Sequence, residues 1–284
     1  MTPEIDRERR RPTSRHSVVP SNYDWREWIV TREFKPSSPG LASRLTRWAL
    51  VATLAILGTG SLSAQAADSS FSLDFSNAYI WRGIVFNDSG VAQFTLDTGS
   101  LNAGSVPIGF NVWGNFDIGD FDGTLEKNNL SEIDLTVYAG LPAGFEIGFI
   151  AYEFPQAEGG STQELYVSWG GDYVVSPSVA LYYDFGAVDS YYASLDLTYS
   201  IAAGEKTGVD LNGLIGIAGD GFATFNGGER GGFYNYDISG GVSHQVNDAF
   251  GLSASVGYSG SLDEEVLPEQ SLGFYVMGGV SLAF

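Results

Sequence analysis

Leu272-Gly273-Phe274-Tyr275-Val276-Met277-Gly278-Gly279-Val280-Ser281-Leu282-Ala283-Phe284 closes the chain, and its alternation sets the reading of everything before it. Leu272, Phe274, Val276, Val280, Leu282 and Phe284 fall on one parity, whereas the other carries Gly273, Tyr275, Met277, Gly279, Ser281 and Ala283. A period of two is the signature of a strand with two unlike faces.

Working back, the same period returns. Phe71, Leu73 and Phe75 alternate with Ser72, Asp74 and Ser76. Val106, Ile108, Phe110, Val112, Gly114, Phe116 and Ile118 alternate with Pro107, Gly109, Asn111, Trp113, Asn115 and Asp117. Ile133, Leu135 and Val137 alternate with Glu132, Asp134, Thr136 and Tyr138, and comparable sets begin at Val179, Tyr191, Val209, Tyr234 and Phe250. With weaker stretches at 91–99, 145–154 and 162–170, about twelve strands of roughly 9–14 residues emerge, longer than the five or six usual in soluble sheets. Strands of that length suit a tilted bilayer crossing. The expected fold is therefore an all-β, transmembrane, antiparallel up-and-down barrel of about twelve strands, with short periplasmic turns and longer extracellular loops.

A β-sandwich or a lipocalin-like barrel also alternates. The strand lengths, the small polar face of Ser, Gly, Thr and Asn, and aromatics near strand ends favour the membrane barrel. Tyr79, Trp81, Trp169, Tyr173, Tyr191, Tyr199, Tyr234, Tyr258 and Phe284 are the candidates for the two interfacial girdles. Phe284, a terminal aromatic on an alternating strand, is the expected signal to the barrel-assembly machinery.

The 284-residue chain has no Cys and carries 34 acids against 14 bases, a net charge of −20. A disulfide scaffold, a thiolate metal site and a Cys nucleophile are excluded. Nucleic acid is not an expected partner for so acidic a chain, because neutralising phosphates takes Lys and Arg. The charge is unevenly placed. Ten of the bases lie in residues 1–66; beyond them stand only Arg82, Lys127, Lys206 and Arg230.

Residues 1–43 are a basic, irregular extension, consistent with a start codon assigned too far upstream. Arg44 and Arg47 precede the apolar run Trp48 to Leu57, and Ala64-Gln65-Ala66 follows. Residues 44–66 are expected to be a cleaved signal peptide, leaving the barrel at 67–284 and addressing it to the bacterial outer membrane.

One segment resembles a known family. Tyr79-Ile80-Trp81-Arg82-Gly83 is similar to the aromatic-x-aromatic-Arg-Gly segment of the TorF-type porin family. Val112-Trp113-Gly114-Asn115, Glu132-Ile133-Asp134 with Tyr138-Ala139-Gly140, Tyr152 with Pro155, and Glu164-Leu165-Tyr166 extend the likeness over about residues 70–200. The resemblance implies an outer-membrane barrel with a channel role, and it places the first segment at the end of strand one. It brings no catalytic residues.

With the apolar parity facing lipid, the opposite parity faces the lumen. The inward candidates are Asp74, Arg82, Asp97, Asp117, Glu132, Asp134, Glu146, Glu164, Asp184, Asp196, Asp210 and Asp237. Walls bearing carboxylates concentrate cations. A passive channel for small neutral or cationic solutes is expected, with poor passage of acidic ones such as uronate oligomers. The alternative is a closed barrel with a structural or surface-binding role. Arg82, the one base among these inward residues, is expected to anchor acids such as Asp74, Asp97 or Asp117. No enzyme activity, cofactor or metal is expected: His244 has no Ser two residues on, and Asp263-Glu264-Glu265 reads as a solvated acidic loop. Outer-membrane lipids, the assembly machinery and small solutes are the expected partners.

Overall fold

A computed structural model describes residues 69–99, 101–103, 106–119, 127–157 and 160–284. The proposed extension, signal peptide and Ala66 cleavage site, and the loop acids Asp120, Asp122 and Glu126, lie outside the described residues.

The strands are β1 Ser70–Ser76, β2 Tyr79–Trp81, β3 Ile84–Asn87, β4 Val91–Asp97, β5 Leu101–Ala103, β6 Val106–Asp117, β7 Asn129–Leu141, β8 Phe145–Glu153, β9 Ser161–Gly170, β10 Ser176–Asp184, β11 Ser190–Ala202, β12 Thr207–Ala218, β13 Gly232–Gln245, β14 Phe250–Ser261 and β15 Phe274–Ala283. A short helix, α1, spans Asp220–Phe225. Each wall strand pairs antiparallel with its neighbours, and β5 continues the edge begun by β4 against β6. β1 pairs with both β4 and β15, so the sheet closes into a barrel of twelve strands. Closure removes the edges that would otherwise leave backbone groups unpaired in lipid. At the seam, Leu73 faces Val280 and the Phe284 backbone N–H donates to the Ser69 carbonyl at 2.9 Å.

The burial pattern is the reverse of a soluble domain. Leu165 is 55% exposed on the outer surface, while its chain neighbour Glu164 is 2% exposed inside. Phe75, Ile147, Leu195, Ile238, Val256 and Phe274 likewise stand outward. Among the inward residues, tyrosines lie across glycines on the paired strand: Tyr138 over Gly109, Tyr166 over Gly148, Tyr275 over Gly257. A side chain on any of these glycines would overlap the ring, so the small inward residues make room for the large ones.

Ser69 and Phe284 lie at one end of the barrel, where the connections Pro142–Gly144, 171–175, 203–206 and 246–249 are short. At the far end the connections 118–128, 219–231 and 262–273 are longer, and 185–189 is short.

Two expectations are corrected. The first wall strand ends at Ser76; Tyr79 to Asn87 is no part of the wall but a separate hairpin, β2–β3. Tyr79 and Trp81 are thus not girdle residues. Nor is Tyr234. A register irregularity between Ile215 and Ile217 lets β13 set Phe233 outward at 60% exposure while Tyr234 is fully buried. The extra residue of a bulge shifts parity. Tyr191, Tyr199, Tyr258 and Phe284 do stand exposed.

Candidate functional site

The β2–β3 hairpin folds into the far mouth of the barrel. Its two-residue turn is Arg82-Gly83, with φ of +49° and +82°. Positive φ at both central positions is the tight-hairpin pattern, and glycine is its usual second residue. Gly83 is also needed for space: a Cβ there would sit 2.5 Å from Asn235 Cβ and 2.9 Å from Leu267 Cδ2. Arg82 accepts a left-handed backbone that most residues avoid. Its side chain supplies the compensation.

The Arg82 guanidinium donates Nη1 to Glu164 Oε1 at 2.7 Å and Nη2 to Glu164 Oε2 at 2.8 Å. Tyr152 Oη donates to the same Oε2 at 2.8 Å. The two ion-pair side chains are only 8% and 2% exposed. Aromatic rings surround the cation: its carbon lies 4.2 Å from the Trp81 ring centre, 4.3 Å from Tyr182, 4.7 Å from Tyr192 and 5.6 Å from Phe222. A forked, charge-assisted pair combined with ring stacking is what arginine's planar group makes best. Glu164 is therefore the anchor. The expected partners Asp74, Asp97 and Asp117 are occupied elsewhere.

The rest of the hairpin is tied down by neutral donors. Tyr79 Oη donates to Glu132 Oε2 at 2.8 Å, Asn87 Nδ2 to Asp117 Oδ1 at 2.7 Å, and the Val85 N–H to Gln270 Oε1 at 3.0 Å. Ile84 packs with Leu267, Val266, Tyr192, Tyr234, Ala218, Phe222 and Ala223. This cluster lies inside the mouth because β13's bulge and α1 both turn side chains inward there.

Below the hairpin lies a cavity of about 970 Å³. Its wall carries Asp134, Asp196, Asp237, Trp113, Tyr182 and Tyr275, with Arg82 at its roof. Asp196 accepts from Ser194 at 2.9 Å and Asp237 from Tyr275 at 2.9 Å, while Asp134 Oδ1 is buried without a protein partner. Above the hairpin a smaller space of about 80 Å³ is lined by Phe86, Phe154, Phe222 and Phe225. Trp81 and Tyr152 border both spaces. Together with the Arg82–Glu164 pair, they form a septum between an aromatic outer pocket and an acidic inner cavity.

The inward candidates therefore divide by place. Arg82, Glu132, Asp134 and Glu164 gather around the septum. Asp74, Asp97 and Asp210 each meet a wall hydroxyl, from Ser72, Tyr138 and Ser200 respectively, as does Glu146 from Tyr166. Asp117 is fixed by Asn87 and Asn115. Asp184 accepts from Thr162 and from the N–H groups of Gly186, Ala187 and Val188, so it shapes the following turn. At the far rim, Asp263 and Glu265 pair with Arg230 at 2.6 Å and 3.0 Å. Those hydrogen bonds hold the Arg230 guanidinium above its ordinary pKa, the Glu265 bond contributing most. The acidic loop is thus neutralised in part by a neighbouring base and is not simply solvated. His244 meets Thr207 at 2.9 Å near the terminal end. Phe284 is exposed at the seam.

No family model and no curated protein sequence matches this chain. Similar solved structures include an outer membrane channel from Pseudomonas putida F1, at 11% identity over 79% of this chain and 98% of that one, with a TM-score of 0.49. A NanC porin aligns at 10% identity over 75% and 100%, with a TM-score of 0.48. A KdgM porin in complex with disordered oligogalacturonate aligns at 10% identity over 77% and 99%, with a TM-score of 0.46. All three are likenesses of form.

Proposed function

We propose that this protein is an outer-membrane channel, of the TorF-type porin class its motifs resemble, passing small neutral or cationic solutes. The observation that carries the reading is the union of an apolar outer belt with an acid-walled inner cavity of about 970 Å³. An outer surface of Leu, Ile, Val and Phe is stable against acyl chains and costly against water. Three acidic side chains lining one space favour cations over anions. Arg82 does little to offset them, because Glu164 already balances its charge at 2.7 Å.

In this reading the termini face the periplasm and the hairpin faces the outside. The chain arrives through a signal peptide cleaved after Ala66 and is handed to the assembly machinery by Phe284. Catalysis, cofactors and metals have no part in it. Planar-bilayer recording of purified protein tests it: stepwise currents with cation preference support the channel. A folded but silent barrel supports the second reading, a closed structural or surface-binding barrel, which the packed septum favours.

A further inference from the structure

Arg82 is held as a ligand is held. The groups that receive it belong to the wall: Tyr152 on β8, Glu164 on β9, Tyr182 on β10 and Tyr192 on β11, four successive strands, with Phe222 of α1 above. The group received belongs to the hairpin. Without Arg82, Glu164 would be a buried carboxylate with one Tyr hydroxyl as partner, so the wall demands a cation there. The carboxylate fork and flanking ring faces select a planar guanidinium over a compact ammonium. The site borders the acidic cavity on one side and the aromatic pocket on the other, so a solute can meet it from either. Arg82 also keeps a φ of +49°, a conformation that release would relieve.

We infer that Glu164, Tyr152, Tyr182 and Tyr192 form a guanidinium-binding site which Arg82 occupies at rest, and that guanidinium-bearing solutes take it over and free the hairpin tip. The inference rests on the channel reading and names its solute class. Asp134, Asp196 and Asp237 gather such cations in the cavity; exchange at Glu164 then opens the septum. The hairpin base remains tied through Tyr79–Glu132 and Asn87–Asp117, so the tip moves without unfolding the wall.

Two measurements test this with methylguanidinium as probe and tetramethylammonium as control. In planar bilayers, methylguanidinium at ten times its dissociation constant raises open probability about tenfold, as expected for a ligand that binds only the open form. Arg82→Lys, which keeps the charge and loses the fork, opens more often at rest. In detergent, methylguanidinium raises the unfolding midpoint of Arg82→Ala but not of Arg82→Ala/Glu164→Gln. Equal effects of both cations, or no effect of methylguanidinium in either measurement, overturn the inference while leaving a conducting channel intact. Silence of every variant in bilayers overturns the channel reading, and the gate with it.

Discussion

Replacing Asp134, Asp196 and Asp237 together by Asn removes the carboxylates that line the inner cavity while keeping side-chain shape. A sphere of 970 Å³ has a radius of about 6 Å, which is the distance from a centred ion to the wall. At that distance one carboxylate attracts a monovalent cation by roughly 0.7 kcal/mol in water, and by roughly 0.4 kcal/mol after screening at 0.1 M salt. Each full charge thus enriches cations about twofold, so three together set an upper bound of about sevenfold, with anions depleted to match. The assay is the reversal potential under a salt gradient, recorded on the parent and, for higher open probability, in the Arg82→Lys background. The parent should lie well toward the cation limit, each single Asn substitution should move it part-way, and the triple variant should lose most of the preference. An unchanged reversal potential in the triple variant would show that these acids do not set selectivity.

Glu164→Gln leaves Arg82 buried without its counter-charge and should cost about 3–5 kcal/mol, seen as a lower heat-unfolding midpoint in detergent; Tyr152→Phe, losing one hydrogen bond, should cost about 1 kcal/mol. An unaltered midpoint for Glu164→Gln would contradict a dry septum. Gly83→Ala forces a side chain onto Asn235 and Leu267 in a left-handed turn, so it should loosen the hairpin and raise resting conductance without disturbing the β content read by circular dichroism. Arg230→Ala, by contrast, breaks only exposed rim pairs and should leave the unfolding midpoint unchanged.

What the sequence disclosed and what it hid follow from range. Alternation is a local property: Leu165 beside Glu164, or Phe75 beside Asp74, states which face is apolar without knowledge of any other strand. That was enough for twelve long strands and their order. The hairpin was hidden because Tyr79-Ile80-Trp81 continues the period of β1 after two residues, Asn77 and Ala78, and because nothing local distinguishes a strand turned into the lumen from one that stays in the wall. The clue was Arg82-Gly83, a dipeptide with glycine where a two-residue hairpin needs positive φ, flanked by Ile80-Trp81 and Ile84-Val85. Tyr234 was misplaced for a related reason: a bulge changes parity by one residue and leaves no compositional trace. Arg82's partner lay 82 residues away on β9, and Asp74, Asp97 and Asp117 were closer in sequence but already satisfied by Ser72, Tyr138 and Asn87. Pairing across a barrel depends on which strand stands opposite, and only the closed register supplies that.

The most direct test uses the absence of cysteine from the chain. Single cysteines are placed at outward Leu165 and Val256 and at inward Ser168 and Ser194, and the membrane-inserted protein is treated with a small cationic water-soluble thiol reagent or an apolar reagent dissolved in the bilayer. The account predicts that Ser168→Cys and Ser194→Cys react with the aqueous reagent alone and Leu165→Cys and Val256→Cys with the lipid-soluble one alone. The opposite pattern, with aqueous labelling at Leu165 and Val256 and none at Ser168 and Ser194, would contradict it.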